Sequence, residues 1–186
     1  MKYLKYFESW TPLLDLEGNV DTTMINNITN LIDNGKILEI SCGNGSDTKK
    51  LLELGYDVTC TENNKGYCDY VSKFANCVLH DTSKPLPFND NQFDLIYSRL
   101  GLHYFDKDTL SNIFSELNRV SNGYLVYSVK ILDDPLTEKV ILSKKDWESI
   151  TKESGFDILS SEVKSGELYG KYSEWLEIIA YNKNIF

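Results

Sequence analysis

The residues best suited to chemistry stand at the ends of short apolar runs. Gly43 and Gly45 follow the run Ile37-Leu38-Glu39-Ile40-Ser41-Cys42, where glycine permits tight turning and close approach of a ligand to bare backbone. Three carboxylates accompany them: Glu39 inside the first run, Glu62 at the end of the second and Asp81 at the end of the third. A carboxylate about 20 residues past such a turn is positioned to accept hydrogen bonds from ribose hydroxyls. Asp81 suits an amino group such as that of adenine, and Glu39 suits an ammonium, held directly or through water. The plain alternative for Glu62 and Asp81 is an exposed loop carboxylate or a helix cap. The third glycine of a dinucleotide fingerprint falls at Ser46, so a pyrophosphate is not specially provided for.

These groups need elements to hold them. Met24, Ile28, Leu31 and Ile32 recur at helical spacing after a cap at Asp21, and Gly35 is the expected stop. Residues 37–41 read as a strand, and Ser46 or Asp47 caps a helix carrying Thr48, Leu51 and Leu52 up to Gly55. The same unit recurs: a strand at 57–61, a helix to about Lys73, and a strand at 76–80. The two-proline segment 83–91 is a turn-rich connection, and 93–98 is the next strand. Leu110, Ile113, Phe114 and Leu117 mark a helix closed by Asn122-Gly123 before a strand at 124–130. Ser143 to Asp146 resembles a capping box for a helix ending at Gly155. The runs "FDILSSEV" and "EWLEIIAY" are joined by too few residues for a crossover helix, so they pair antiparallel. The expected fold is α/β: a doubly wound, Rossmann-like, seven-stranded and mostly parallel sheet with an antiparallel last strand.

Composition narrows the function. A chain of 186 residues is one domain, too short for a cofactor domain plus a separate substrate domain. Nineteen basic against twenty-eight acidic residues give a formal charge of −9, and such a field repels phosphodiester backbones, so no nucleic-acid partner is expected. No apolar run is long enough to span a membrane, and the N-terminus lacks the pattern of a secretory signal, which makes a cytoplasmic location the default. Cys42, Cys60, Cys68 and Cys77 show no Cys-x-x-Cys spacing, so neither a disulfide framework nor a metal site is expected.

A ligand with adenine, ribose and an amino-acid end but no phosphate satisfies the first set of groups, which describes S-adenosylmethionine. The motifs bear this out in order. "ILEISCGNG" resembles the first motif of class I S-adenosylmethionine-dependent methyltransferases. "DVTCTENN" is similar to their acidic motif on the second strand, and "LHDTSKPLPFNDNQFDLIYSRLGLHYF" to the run from adenine contact through the fourth strand. Within the family the likeness is to the small-molecule branch of ubiquinone-biosynthesis-like and tellurite-resistance-like enzymes, and it covers roughly residues 37–130. Two departures stand out: Ser41 replaces the usual first glycine of the motif, and "SNG" replaces a Pro-Gly-Gly turn before the fifth strand.

The resemblance implies a cofactor set of Glu39, Ser41, Gly43, Gly45, Glu62, Asn63, Asp81, Thr82 and Ser98. His103 and Tyr104, just past the fourth strand, are placed for acceptor contact or proton handling, although a histidine beside Leu102 serves equally as a packed residue. Tyr3, Tyr6 and Trp10 fit an N-terminal helix that is either a lid or core packing; Tyr169, Tyr172 and Trp175 fit an acceptor pocket on the same terms. The implied organisation is a lid or cap over 1–35, a cofactor core over 36–130 and a C-terminal helix and hairpin over 131–186. The expected activity is methyl transfer to a small-molecule acceptor. A non-catalytic cofactor-binding subunit and, further off, a nicotinamide-dependent oxidoreductase are the alternatives. Acceptor and oligomeric state are not legible.

Overall fold

The computed structural model describes residues 20, 22–131, 142–168 and 171–185. Helix α1 (Thr22–Leu31) leads to strand β1 (Lys36–Ile40), followed by α2 (Ser46–Glu53), β2 (Asp57–Glu62), α3 (Lys65–Val71) and β3 (Asn76–Leu79). After the proline-bearing connection come β4 (Phe93–Arg99), a 3₁₀ turn (Leu102–Tyr104), α4 (Lys107–Val120) and β5 (Ser121–Lys130). Helix α5 (Lys144–Glu153) precedes the terminal hairpin of β6 (Phe156–Leu168) and β7 (Lys171–Asn182).

The sheet has seven strands in the order β3-β2-β1-β4-β5-β7-β6. The β1 to β5 pairings are parallel, and β7 runs antiparallel to both β5 and β6. Alternation along the strands feeds two layers. Leu38, Ile40, Ile96, Leu125 and Tyr127 face α4 and α5 with Phe114 and Trp147, while Ile37, Val58, Leu95 and Val126 face α1 and α2 through Met24, Ile28 and Leu51. Burial on both faces explains why these strands read as unbroken apolar runs.

Local chemistry differs from expectation in four places. Helix α2 is capped by Gly45, at φ 74 and without a side-chain bond, and not by Ser46 or Asp47. The Asn44 side chain instead accepts from the Ser46 backbone N–H and hydroxyl, which makes the turn before the helix an Asx turn. Asn122-Gly123 does not stop α4. β5 begins at Ser121, and a Cβ at position 123 would lie 2.4 Å from the Asp94 carbonyl oxygen, so glycine is needed there for close backbone approach. Gly35 stands in the turn before β1, beyond the helix end at Leu31. The hairpin strands absorb most of the segment read as their connection. By contrast, the capping box of Ser143 and Asp146 forms as expected, with reciprocal side-chain and backbone bonds.

Candidate functional site

The strand order reverses direction between β1 and β4, and an open α/β sheet binds ligands in the crevice at that switch point. Two side-chain-bearing residues in the left-handed region stand on its rim: Ser41 (φ 59) just after β1 and Leu100 (φ 55) just after β4. Gly43 (φ 56) and Gly45 (φ 74) complete the turn after Ser41. The two glycines serve different ends. A Cβ at Gly45 would lie 2.8 Å from Val71, so that position admits the end of α3; a Cβ at Gly43 would meet nothing within 4 Å, leaving an open side beside bare backbone.

Glu62 ends β2 and is 6% exposed. Its Oε2 accepts from the Gly43 N–H at 2.8 Å and its Oε1 from the Asn64 N–H at 2.9 Å. Burial raises its pKa, opposed by these backbone bonds. A carboxylate has about four acceptor sites, so each oxygen keeps capacity for a further donor. Asn63 is exposed beside it. Asp81 is exposed and holds the Ser83 backbone and hydroxyl. Thr82 is buried, and its hydroxyl lies 3.5 Å from that of Ser41. Ser98 is fully buried and donates to the Ile40 carbonyl at 3.2 Å, tying β4 to β1 beneath the crevice.

Glu39 lies deeper than its sequence position implied. It is 3% exposed and accepts from the Thr48 hydroxyl of α2. Burial and then the neighbouring Asp47 push its pKa up to about 8. Asp47 itself accepts from the Tyr97 hydroxyl at 2.9 Å and from Arg99 Nε, so the first turn of α2 is anchored to β4. Tyr97 and Arg99 were not singled out in the sequence, and Asp47 and Thr48 were read only as a cap candidate and a helix-face residue. No motif marks them; they meet because Glu39 pairs with Tyr97 across β1 and β4.

His103 and Tyr104 lie on the 3₁₀ turn, half-buried, with ring centroids 4.3 Å apart. Gly101 brings this turn against the crevice, for a Cβ there would lie 2.8 Å from the Ser41 Cβ and 3.0 Å from the Ser98 Oγ. Lys130, at the carboxyl end of β5, pairs with Trp175, so the hairpin beyond Trp175 projects past the edge that carries the crevice. Tyr172 stands on that projection, 64% exposed, with its hydroxyl 3.0 Å from Glu174. Tyr3, Tyr6, Trp10 and Tyr169 lie outside the described residues.

The chemistry fits S-adenosylmethionine. The crevice offers a carboxylate with spare acceptor sites, an open glycine beside it and a buried acid below. Among the described residues no helix is long and apolar enough to cross a membrane.

Comparison with known proteins agrees. The family described as "Methyltransferase domain" matches residues 38–127. The malonyl-[acyl-carrier protein] O-methyltransferase of Buchnera aphidicola subsp. Baizongia pistaciae is 30% identical over 126 residues, 66% of this chain and 49% of that protein. The chain thus spans about half the length of this curated relative. Among solved structures, a SAM-dependent methyltransferase from Methanosarcina mazei superposes with a TM-score of 0.72 at 21% identity, covering 89% of this chain and 99% of the other. TehB from Haemophilus influenzae does so with a TM-score of 0.76 at 17% identity, covering 97% and 67%. At those identities the structures speak for the fold.

Proposed function

From the match of residues 38–127 to a methyltransferase domain, we propose that the protein is a class I S-adenosylmethionine-dependent methyltransferase that transfers a methyl group from S-adenosylmethionine to a small-molecule acceptor. The observation that carries this reading is the buried Glu62 carboxylate bonded to the Gly43 backbone. It couples a ribose-binding group to the turn that admits the rest of the cofactor.

S-adenosylmethionine supplies a methyl group on a sulfonium whose departure as a neutral thioether makes positioning the main demand on the protein. Glu62, with Asn63 beside it, takes the ribose hydroxyls. Gly43, with Ser41 and Ser98 beneath, receives the methionine portion, Gly45 shapes the turn by seating it on α3, and the arriving ammonium draws the proton off Glu39 so that its carboxylate faces the cation. Asp81 and Thr82 stand at the adenine end. His103 and Tyr104 face the acceptor, and the His103 imidazole accepts a proton where the acceptor must lose one. Tyr6, Trp10, Tyr169 and Tyr172 are assigned to the lid and acceptor side. The Buchnera relative is named for methylation at oxygen of a malonyl group, which makes a small carboxylate the first acceptor to try.

Parallel calorimetric titrations with S-adenosylmethionine, S-adenosylhomocysteine and NAD test the reading. Saturable binding of the first two without NAD is expected, and Glu62→Ala weakens both roughly 10–100-fold, since hydrogen bonds to a charged group contribute about 1.5–3 kcal/mol. Binding of NAD without the sulfonium cofactor overturns it. Formation of S-adenosylhomocysteine with an acceptor separates an enzyme from a binding subunit.

A further inference from the structure

Three cysteines far apart in the sequence meet on one face of the sheet. Cys60 on β2 is in register with Cys77 on β3. Cys42 follows β1, and its backbone N–H donates to the Thr61 carbonyl at 3.0 Å, which brings its side chain over the same pair. The three Sγ atoms all lie within 4.8 Å of one another, with Cys42 and Cys77 at 4.0 Å. All are free thiols. Val71, Tyr70 and Ala75 form the apolar wall around them. Cys60 is fully buried, Cys42 is 8% exposed, and the half-buried Cys77 gives the cluster its way in from solvent.

Isolated buried cysteines behave as small apolar side chains. Three sulfurs converging from successive strands are a different arrangement. Metal–sulfur bonds of about 2.3 Å place three sulfurs around one ion about 4 Å apart, which is the spacing already reached by Cys42 and Cys77. Thiolates favour soft ions such as Cu(I), whereas structural zinc takes four ligands. The fourth nearby thiol, Cys68, lies outside the trio and contacts the Cys77 carbonyl oxygen at 3.7 Å. We propose that Cys42, Cys60 and Cys77 form a trigonal three-thiolate site for a thiophilic d¹⁰ metal ion, Cu(I) foremost. Each thiol that ligates releases its proton to solvent, so affinity falls as pH falls. The proposal does not rest on methyl transfer, but Cys42 lies between Ser41 and Gly43 in the cofactor turn.

Anaerobic titration of the reduced full chain with Cu(I), against a chromophoric Cu(I) chelator, tests this. Cys42 is left untouched because it sits in the cofactor turn. One Cu(I) per chain is expected, with thiolate-to-metal charge-transfer absorption in the ultraviolet. Cys60→Ala and Cys77→Ser each weaken binding by at least the roughly 10–100-fold that even an outer-shell change costs, while Cys68→Ala leaves it unchanged. Circular dichroism and a melting curve verify each variant, and Cys77→Ser decides alone if Cys60→Ala does not fold. No stoichiometric binding, or binding that survives Cys77→Ser, overturns the site. So does Zn(II) binding that Cys68→Ala abolishes, because it would mean a four-sulfur centre.

Discussion

Ser41 holds φ 59 with a side chain in place, a conformation that costs about 1–2 kcal/mol relative to the right-handed region. Glycine removes that strain but brings a more flexible unfolded chain. Ser41→Gly is therefore expected to stabilise by about 0.5–1 kcal/mol, read as a higher urea midpoint at unchanged slope. Gly101→Ala drives a Cβ to 2.8 Å from that of Ser41, so it should destabilise more in the natural chain than in the Ser41→Gly variant. Equal effects in the two backgrounds would mean the contact carries no coupling. Glu39 makes a different statement. Its pKa of about 8 exceeds the ordinary 4.5 because of burial and then Asp47, so the folded state holds a proton that the unfolded state releases. Its contribution is fully present below pH 4.5 and is lost as pH rises to about 8, with a slope of at most roughly 1.4 kcal/mol per pH unit. Chemical denaturation across that window should show stability falling, and Glu39→Gln should flatten the fall.

At the scale of elements, the β4–β5 junction shows what a local reading misses. Asn122-Gly123 has the composition of a helix stop, yet its glycine exists for the approach to Asp94. Gly123→Ala is expected to cost about 1–3 kcal/mol through overpacking, with the loss seen in thermal melting; a neutral result would mean that the β4–β5 pairing, whose register shifts between Phe93 and Leu95, relaxes freely. The strands themselves were legible, because burial on both faces leaves short apolar runs bounded by turn residues. Helix ends were less so, since Gly45 and Ser46 compete as caps and only the turn conformation decides between them. Glu62 and the glycine turn could be found by their order along the chain. The bonds joining Glu39 to Thr48 and Asp47 to Tyr97 and Arg99 could not, because they depend on register and on the seating of α2. The cysteine trio was hidden for the same reason: its members sit about one strand–helix repeat apart, where no short motif looks.

For the whole molecule, a formal charge of −9 creates a field that favours cations. S-adenosylmethionine carries a net positive charge and S-adenosylhomocysteine none. Raising ionic strength should therefore slow association of the first markedly and of the second little, as stopped-flow binding would show. An equal salt response would place the charge away from the crevice. The same sheet also orders its own assembly. Hairpin β6–β7 joins neighbours in sequence, whereas the bond from Ser98 to Ile40 links residues 58 positions apart. Short loops close early, and contacts across long ones carry an entropic cost that defers them. The crevice at the β1–β4 seam is thus expected to be completed late on the folding path. A ligand bound there acts after the barrier, so it should lengthen the lifetime of the native state and leave the refolding rate unchanged.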